Sequence, residues 1–422
     1  MEIFTLNTWL IIVAFIVGYA FITLEHVTKI NKATVALMMG IVCWAILFTT
    51  DFCLEGKNTS CFLEHLANIS QVVLFLLGAL AIVEIINIHH GFTIISQFIN
   101  ISSKRNLLWV IAILSFFLSS ILDNLTTTIV MITLLSKLTP RSEDRLVVGG
   151  AIVIAANAGG AWTPIGDVTT TMLWIGGQVT AANVMMQLFL PSIACLIAAL
   201  IPLTLSLKGS FATTHVQETQ KLEPFGRGVL WLGVFVLVFV PVFKSITGLP
   251  PFMGVLFGVS LLWIVTDLVH RNFHDREHLR MPKALSRVDL SSTLFFLGIL
   301  LCIDALDAAG ILDHLALWFD NAVGNYTLIA IGIGLVSAVV DNVPLVAASI
   351  GMYDLTHFPT DSKFWQLIAY CAGTGGSILI IGSAAGVVYM GLEKVDFFWY
   401  IKRIGFAALV GYFAGIGVYL LI

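Results

Sequence analysis

The sequence predicts an all-α polytopic membrane protein of two inverted repeats. Each repeat has five transmembrane helices plus one re-entrant hairpin, with discontinuous helices at the midplane. Three observations carry this. The 422 residues are 58% hydrophobic and only 11% charged, against roughly 25% charged in a soluble domain. Apolar runs near the ~20 residues that cross a bilayer recur along the whole chain. Two further apolar segments, about 107–137 and 326–353, have polar centres, as "FFLSSILDNLTTTIVMITLL" shows for the first.

Taken in order, spans are read at about 9–26, 33–50, 68–88, 146–175, 184–206, 228–245, 252–270, 290–309, 364–390 and 399–421. The first run has no basic n-region and no small-residue cleavage site, and is therefore expected to remain as a span. Cys53 and Cys61 share one polar loop; they are either bridged, if that loop faces an oxidising compartment, or two thiols. No CxxC or Cys/His spacing suggests a metal site. The ten histidines fall in loops or near span ends and are read as solvated, with His89 or His90 as candidates for pH sensing.

The halves match in sequence. "FLLGALAIVEIINIHHG" (75–91) resembles "FFLGILLCIDALDAAG" (295–310), with Gly78 over Gly298 and Glu84 over Asp304. "SSILDNLTTTIV" matches "SAVVDNVPLVAA", placing Asp123-Asn124 over Asp341-Asn342. "NAGGAWTPIGDVTT" matches "GTGGSILIIGSAAG", placing Gly159, Gly160 and Gly166 over Gly375, Gly376 and Gly382. The offsets are 220, 218 and 216. Three ordered pairings at nearly one offset indicate a duplication: 1–207 with a hairpin at about 107–137 and a broken helix at about 146–175, a cytoplasmic linker 208–225, and 226–422 with a hairpin at about 326–353 and a broken helix at about 364–390.

If each polar-centred segment is a hairpin, each half crosses the membrane an odd number of times, and the second half is inverted. Charge placement agrees. One face then collects all 21 basic residues except Lys57, Lys244 and Lys363. The positive-inside rule makes that face cytoplasmic and puts both termini outside. Inverted repeats with broken segments at mid-membrane suit alternating access in a transporter.

Backbone that leaves the helix inside a membrane must be buried in protein or line a watery cavity. Gly159-Gly160 with Trp162-Thr163-Pro164, and Gly373-Thr374-Gly375-Gly376, are expected to interrupt their helices. The hairpin tips at Ser119–Asn124 and Ser337–Pro344 bring two more interruptions. Asp123, Asn124, Thr163, Asp167, Ser337, Asp341, Asn342 and Thr374 then supply carboxylates, amides and hydroxyls to a small ion.

Plainer roles remain open for these residues. Asp123-Asn124 and Asp341-Asn342 also fit N-caps of the returning arms, although a buried charge is costly where Asn or Ser would cap as well. The glycine pairs also fit close helix packing, and Thr126, Thr127 and Thr128 can bond back to their own helix. Glu84, Asp304 and Asp307 either relay protons or tie helices together.

The sign of the centre selects the solute. Asp123, Asp167 and Asp341 come with no Lys or Arg in the tips or breaks, which repels organic and inorganic anions and attracts a cation. Hard oxygen donors suit Na⁺ or Li⁺, and the expected Na⁺ ligands are Asp123, Asn124, Asp341 and Asn342. Burial disfavours a charged carboxylate and helix N-termini favour it, so Na⁺ and H⁺ can compete for one set of acids. An intramembrane hydrolase would need paired aspartates on facing continuous helices.

The stretches "ILDNLTTT", "GGAWTPIGDVTTTMLW", "VVDNVPLVAA" and "GTGGS", in this order, resemble the NhaD-type sodium/proton antiporters of the ion-transporter superfamily, from about Leu77 to Gly391. The resemblance implies a homodimer, a fixed scaffold and a moving elevator-type domain that carries both hairpins. It places functional polar residues at Asp123, Asn124, Asn157, Asp167, Thr169, Thr170, Ser337, Asp341 and Asn342, with Ser377 and Ser383 in the second broken helix. The superfamily's dicarboxylate branch has Ser-Asn-Thr at the tips, which this chain lacks.

The expectation is Na⁺ (and Li⁺) exchange for H⁺ across a bacterial inner membrane, serving pH homeostasis; the alternative is Na⁺-coupled symport of a small anion such as a dicarboxylate. Expected partners are small inorganic cations, membrane lipid and a second copy of the chain. No nucleic acid, no enzymatic step and no cofactor beyond the transported ions is expected.

Overall fold

The computed structural model describes residues 5–23, 25–50, 52, 58–96, 101, 103–211 and 222–422. It is all-helical; among the described residues the only extended pairing is an isolated bridge between Ser103 and Ser210. Cys53 and most of the expected linker 208–225 lie outside those residues.

Through the first half run α1 (Leu6–Thr23), α2 (Glu25–Thr28), α3 (Lys32–Leu47), α4 (Asn58–Ile88), α5 (Thr93–Ser96), α6 (Lys104–Ser119), α7 (Asn124–Leu138), α8 (Glu143–Ala161), α9 (Val168–Ile175) and α10 (Ala181–Ser206). The second half holds α11 (Gly226–Thr247), α12 (Pro251–His270), α13 (Met281–Leu285), α14 (Leu290–Ala308), α15 (Ile311–Ala322), α16 (Tyr326–Val336), α17 (Asn342–Met352), α18 (Lys363–Gly375), α19 (Ala384–Glu393), α20 (Phe397–Tyr400) and α21 (Phe406–Leu421). Among the described residues seven helices are long and apolar enough to span a membrane. The protein is a multi-pass membrane protein. Exposed Trp9, Val13 and Ile16 on α1, and Trp231, Phe235 and Val238 on α11, turn outward as lipid-facing side chains do.

Two groups of helices divide the molecule. In one, α3 lies along α14, α4 packs on α12 and α14, α1 on α3, and α11 on α12. Close approach is made possible by glycine: a Cβ on Gly298 would meet the Ala36 backbone at 2.4 Å, and one on its sequence match Gly78 would meet Val255 at 2.6 Å. In the other group α6 packs on α8, α16 on α18, α7 on α19, α17 on α9, and α10 along α21. The groups meet where α14 touches α17 and α4 touches α9.

Both polar-centred segments are helix–turn–helix units, α6/α7 and α16/α17. The second has a feature the sequence reading missed: α15, which bends 118° into α16.

The glycine pairs do not break their helices. α8 runs through Gly159-Gly160 to Ala161 and unwinds only over residues 162–167, and α18 runs through Gly373 to Gly375. The reason is backbone contact. A Cβ on Gly159 would meet Phe116 O at 2.1 Å, and one on Gly375 would meet Gly334 O at 2.0 Å. These glycines let each broken helix press against the entering arm of its own hairpin; the breaks come afterwards.

At the outer ends of α8 and α19, Arg145 and Glu393 form a buried pair: Nη2 contacts the two carboxylate oxygens at 2.6 and 2.7 Å, and Nη1 donates to Thr139 O at 2.9 Å. Glu393→Gln leaves the guanidinium half-paired in a site where Glu393 is 4% exposed. The expected cost is roughly 3–5 kcal/mol of stability, read as a lowered unfolding midpoint in detergent.

A candidate cation site at four helix N-termini

Each interruption ends by starting a new helix, and each new helix begins on a short polar cap. Asp123 caps α7, Asp167 caps α9, Asp341 caps α17 and Ser383 caps α19. The sequence pattern explains this, since Asp and Ser accept from the free N–H groups of a first turn. The capping role and a role toward an ion are therefore not alternatives. A capped carboxylate keeps lone pairs free, and four helix N-termini offset part of the charge of three carboxylates.

Asp123 accepts from Thr126 N at 2.7 Å through Oδ1 and from Thr126 Oγ1 at 2.8 Å through Oδ2. Asp167 is 1% exposed; its Oδ1 accepts from Thr169 N and Oγ1 at 2.8 and 2.6 Å. Its Oδ2 accepts from Asn124 Nδ2 at 2.7 Å. The same nitrogen donates to Asn157 Oδ1 at 3.0 Å. Asn157 Nδ2 in turn donates to Ser377 Oγ and Ser383 Oγ at 2.8 and 2.9 Å. One buried chain of hydrogen bonds thus runs from the first hairpin through the first broken helix to the second.

The remaining hydroxyls serve the backbone. Thr163 Oγ1 donates to Ser120 O at 2.7 Å, Thr170 Oγ1 to Ala161 O at 3.4 Å, and Thr374 Oγ1 to Tyr370 O at 2.6 Å. Ser337 Oγ donates to Ala372 O at 3.0 Å, and the matched Ser119 Oγ to Ala156 O at 2.6 Å. Of the three threonines after Asn124, Thr128 bonds back to Asn124 O as expected, Thr126 holds Asp123 instead, and Thr127 Oγ1 is buried without a partner.

The second hairpin stands apart from this chain. Asp341 Oδ1 accepts only from Val343 N, at 3.2 Å, among the bonds of the described residues, and Asn342 Nδ2 is buried without a partner. Asp341 and Thr126 line a partly open cavity of about 370 Å³ together with Glu84, Asn87, Lys32 and Arg287, the Lys32–Arg287 mouth. A smaller space of about 50 Å³ lies against Asp123 and Asn124.

Glu84, Asp304 and Asp307 do not join the central cluster. Glu84 sits in the Lys32–Arg287 mouth and accepts from Asn87 Nδ2 at 3.2 Å. Asp304 and Asp307 line a separate cavity of about 400 Å³ between α4, α9, α14 and α17, where Asp304 Oδ2 lies 3.2 Å from His65 Nδ1. The matched acids thus stand at two different mouths.

Among the described residues two histidines depart from the solvated reading: His89 and His270 are buried, with Nε2 atoms 3.2 Å apart, and His89 Nδ1 is 2.8 Å from Ile85 O. They join the ends of α4 and α12: His89 pairs on both ring nitrogens, whereas His270 Nδ1 is buried without a partner. Burial pushes the His89 imidazole down to about 4, which keeps it neutral at physiological pH and argues against its acting as a sensor there. Cys61 is disulfide-bonded. Among the described residues no cluster of three or more His, Cys, Asp or Glu is arranged to hold a metal ion.

Sequence reasoning missed Thr126 as the clamp on Asp123 and gave Ser383 less weight than its place deserves. The repeat alignment of Gly166 with Gly382 carried the signal, because the residues that follow are Asp167 and Ser383: both are N-caps, and both lie on the Asn157 chain.

The citrate transporter family profile (CitMHS) matches residues 9–361. The chain is 52% identical over 408 residues to sodium/proton antiporter 1 of Arabidopsis thaliana, covering 96% of this chain and 70% of that protein. It is 49% identical to sodium/proton antiporter 2 of the same plant, covering 96% and 97%. It is 28% identical to the Na(+)/H(+) antiporter NhaD of Vibrio cholerae, covering 97% and 90%. The expected NhaD resemblance is met. In fold it is similar to the Alcanivorax borkumensis YdaH transporter, described as having an unusual topology, with TM-score 0.59 at 12% identity over 92% of this chain and 96% of that one.

Proposed function

The chain belongs to the citrate transporter (CitMHS) family, and on that premise we propose that it exchanges Na⁺, and with it Li⁺, for H⁺. The observation that carries this is the central constellation: Asp123, Asp167 and Asp341 cap the helices that follow the interruptions, beside amide and hydroxyl groups, with the basic Lys32 and Arg287 held at the mouth of the Asp341 cavity. Such a centre favours a hard monovalent cation. The relatives named sodium/proton antiporters support the same reading.

In this reading Asp167, Asn157, Asn124, Thr169 and the Asp123 carboxylate form the first-hairpin side of the ion site. Asp341 and Asn342, with Asn342 Nδ2 unpartnered, form the other side and reach the aqueous mouth. A proton and Na⁺ take turns on the carboxylates. Glu84 at one mouth, and Asp304 and Asp307 at the other, pass protons or cations between site and water. The two halves are inverted repeats, about 1–207 and 226–422 with a cytoplasmic linker 208–225, and the termini lie outside the cytoplasm of the cell membrane. A disulfide at Cys61 fits that orientation, because such bonds persist in oxidising compartments. The α6–α10 and α16–α21 group moves as an elevator against the α1–α4 and α11–α14 group, which also supplies the contact surface of a dimer.

The family's citrate-transporter description favours a second reading, Na⁺-coupled uptake of a small anion. One measurement separates them. In inside-out vesicles with an acid interior, NaCl without any organic solute is expected to release protons and dequench a pH-sensitive dye. Silence until a dicarboxylate is added would support symport and overturn antiport.

A further inference from the structure

Lys244 lies about one turn from the end of α11, where a lysine of a transmembrane helix ordinarily stretches its ammonium out to water. Here the side chain turns to α9. Nζ donates to Trp174 O at 3.1 Å and stands 4.8 Å from the centre of the Trp174 ring. Trp174 is 2% exposed and is the next-to-last residue of α9. The ammonium therefore sits on the negative end of the helix whose positive end is capped by Asp167. One charge serves a hydrogen bond, a ring face and a helix dipole together.

The outer end of α9 is also tied to the start of α18. Asp361 N donates to Gln178 O at 2.8 Å, and Thr180 N and Oγ1 both donate to the Asp361 carboxylate at 2.7 Å. A hold on Trp174 consequently holds both broken helices. α11 itself packs on α12 and α4, in the other helix group. The contact joins the two groups, at the end of α9 opposite the cation site. It is seen in a conformer whose Asp341 opens to the Lys32–Arg287 mouth.

We propose that Lys244 is a positioning residue: it latches α9 to α11 while the site faces the Lys32–Arg287 mouth, and it must let go when the site turns to the other mouth. This rests on the alternating-access reading above. Its chemistry is specific. A cation with hydrogen-bond donors is required, an arginine can supply both, and an apolar chain of equal length supplies neither.

The test uses the full chain with a reporter, Ile121→Cys, at the half-buried first hairpin tip, labelled by a membrane-impermeant maleimide in right-side-out and inside-out vesicles. Adding Lys244→Met is expected to move labelling at least threefold toward the face away from Lys32 and Arg287. The apparent KM for Na⁺ at the Lys32–Arg287 face rises by a similar factor while maximal exchange is kept, and Lys244→Arg restores both. If Lys244→Met folds poorly, Lys244→Gln, which keeps a donor and loses the charge, is expected to show the same shift. An unchanged split in these variants, when the parent redistributes on adding Na⁺, overturns the latch. A parent whose tip never changes face overturns the alternating-access reading, and the latch with it.

Discussion

Asp167→Asn is expected to abolish Na⁺-driven proton release while leaving the protein folded. Asp167 Oδ2 accepts from Asn124, which also bonds Asn157, which bonds two serine hydroxyls. An amide at position 167 puts donor against donor, but the chain can answer. Asn124 and Asn157 each turn their amides over, and the hydroxyls of Ser377 and Ser383 rotate to donate instead of accept. The cap survives as well, because the asparagine oxygen still accepts from Thr169. What the chain cannot replace is the charge. Losing it removes roughly 3 kcal/mol of cation binding, or about 100-fold in apparent affinity. The check is twofold: ²²Na⁺ exchange in proteoliposomes, and the unfolding midpoint of the purified variant. Normal exchange would remove Asp167 from the ion site. A collapsed midpoint would make it a structural cap alone.

Gly159→Ala and Gly375→Ala are expected to be among the most damaging single-methyl changes in the molecule. The added carbon would lie 2.1 Å from Phe116 O and 2.0 Å from Gly334 O, respectively. Both neighbours are backbone, so no side chain can rotate aside, and the hairpin must separate from its broken helix. Overpacking of this kind costs at least 1–3 kcal/mol, and here it also displaces the tips that carry Asp123 and Asp341. Loss of exchange should accompany a lowered unfolding midpoint. Gly332→Ala and Gly417→Ala are the controls. Each glycine lies in a helix with nothing within 4 Å of the added carbon, and alanine is the better helix former by about 0.5–1 kcal/mol. Equal damage at all four positions would show that helix flexibility, not close approach, is what the glycines supply.

The glycines also show where sequence reading stops. Gly159, Gly160, Gly375 and Gly376 are conspicuous by repetition, and repetition marks them as important. It does not say whether a glycine loosens its own helix or admits a neighbour. Only the Phe116 and Gly334 carbonyls decide that, and they come from elements more than 40 residues away in each half. The histidines are a similar case. His89 lies beside a loop in sequence and is buried because His270, 181 positions later, closes over it.

The apolar spans, the two polar-centred hairpins and the four capping residues were set by local chemistry. Span length, helix propensity and cap preference act within a few residues, so they can be read along the chain. The partners of Asn157, the isolation of Asp341 from the hydrogen-bonded chain, the separate mouths of Glu84 and Asp304, and the turn of Lys244 toward Trp174 were decided by the fold. Each depends on a single donor or acceptor brought within about 3 Å across helices, and a distance of that size between remote segments exists only once the helices are packed.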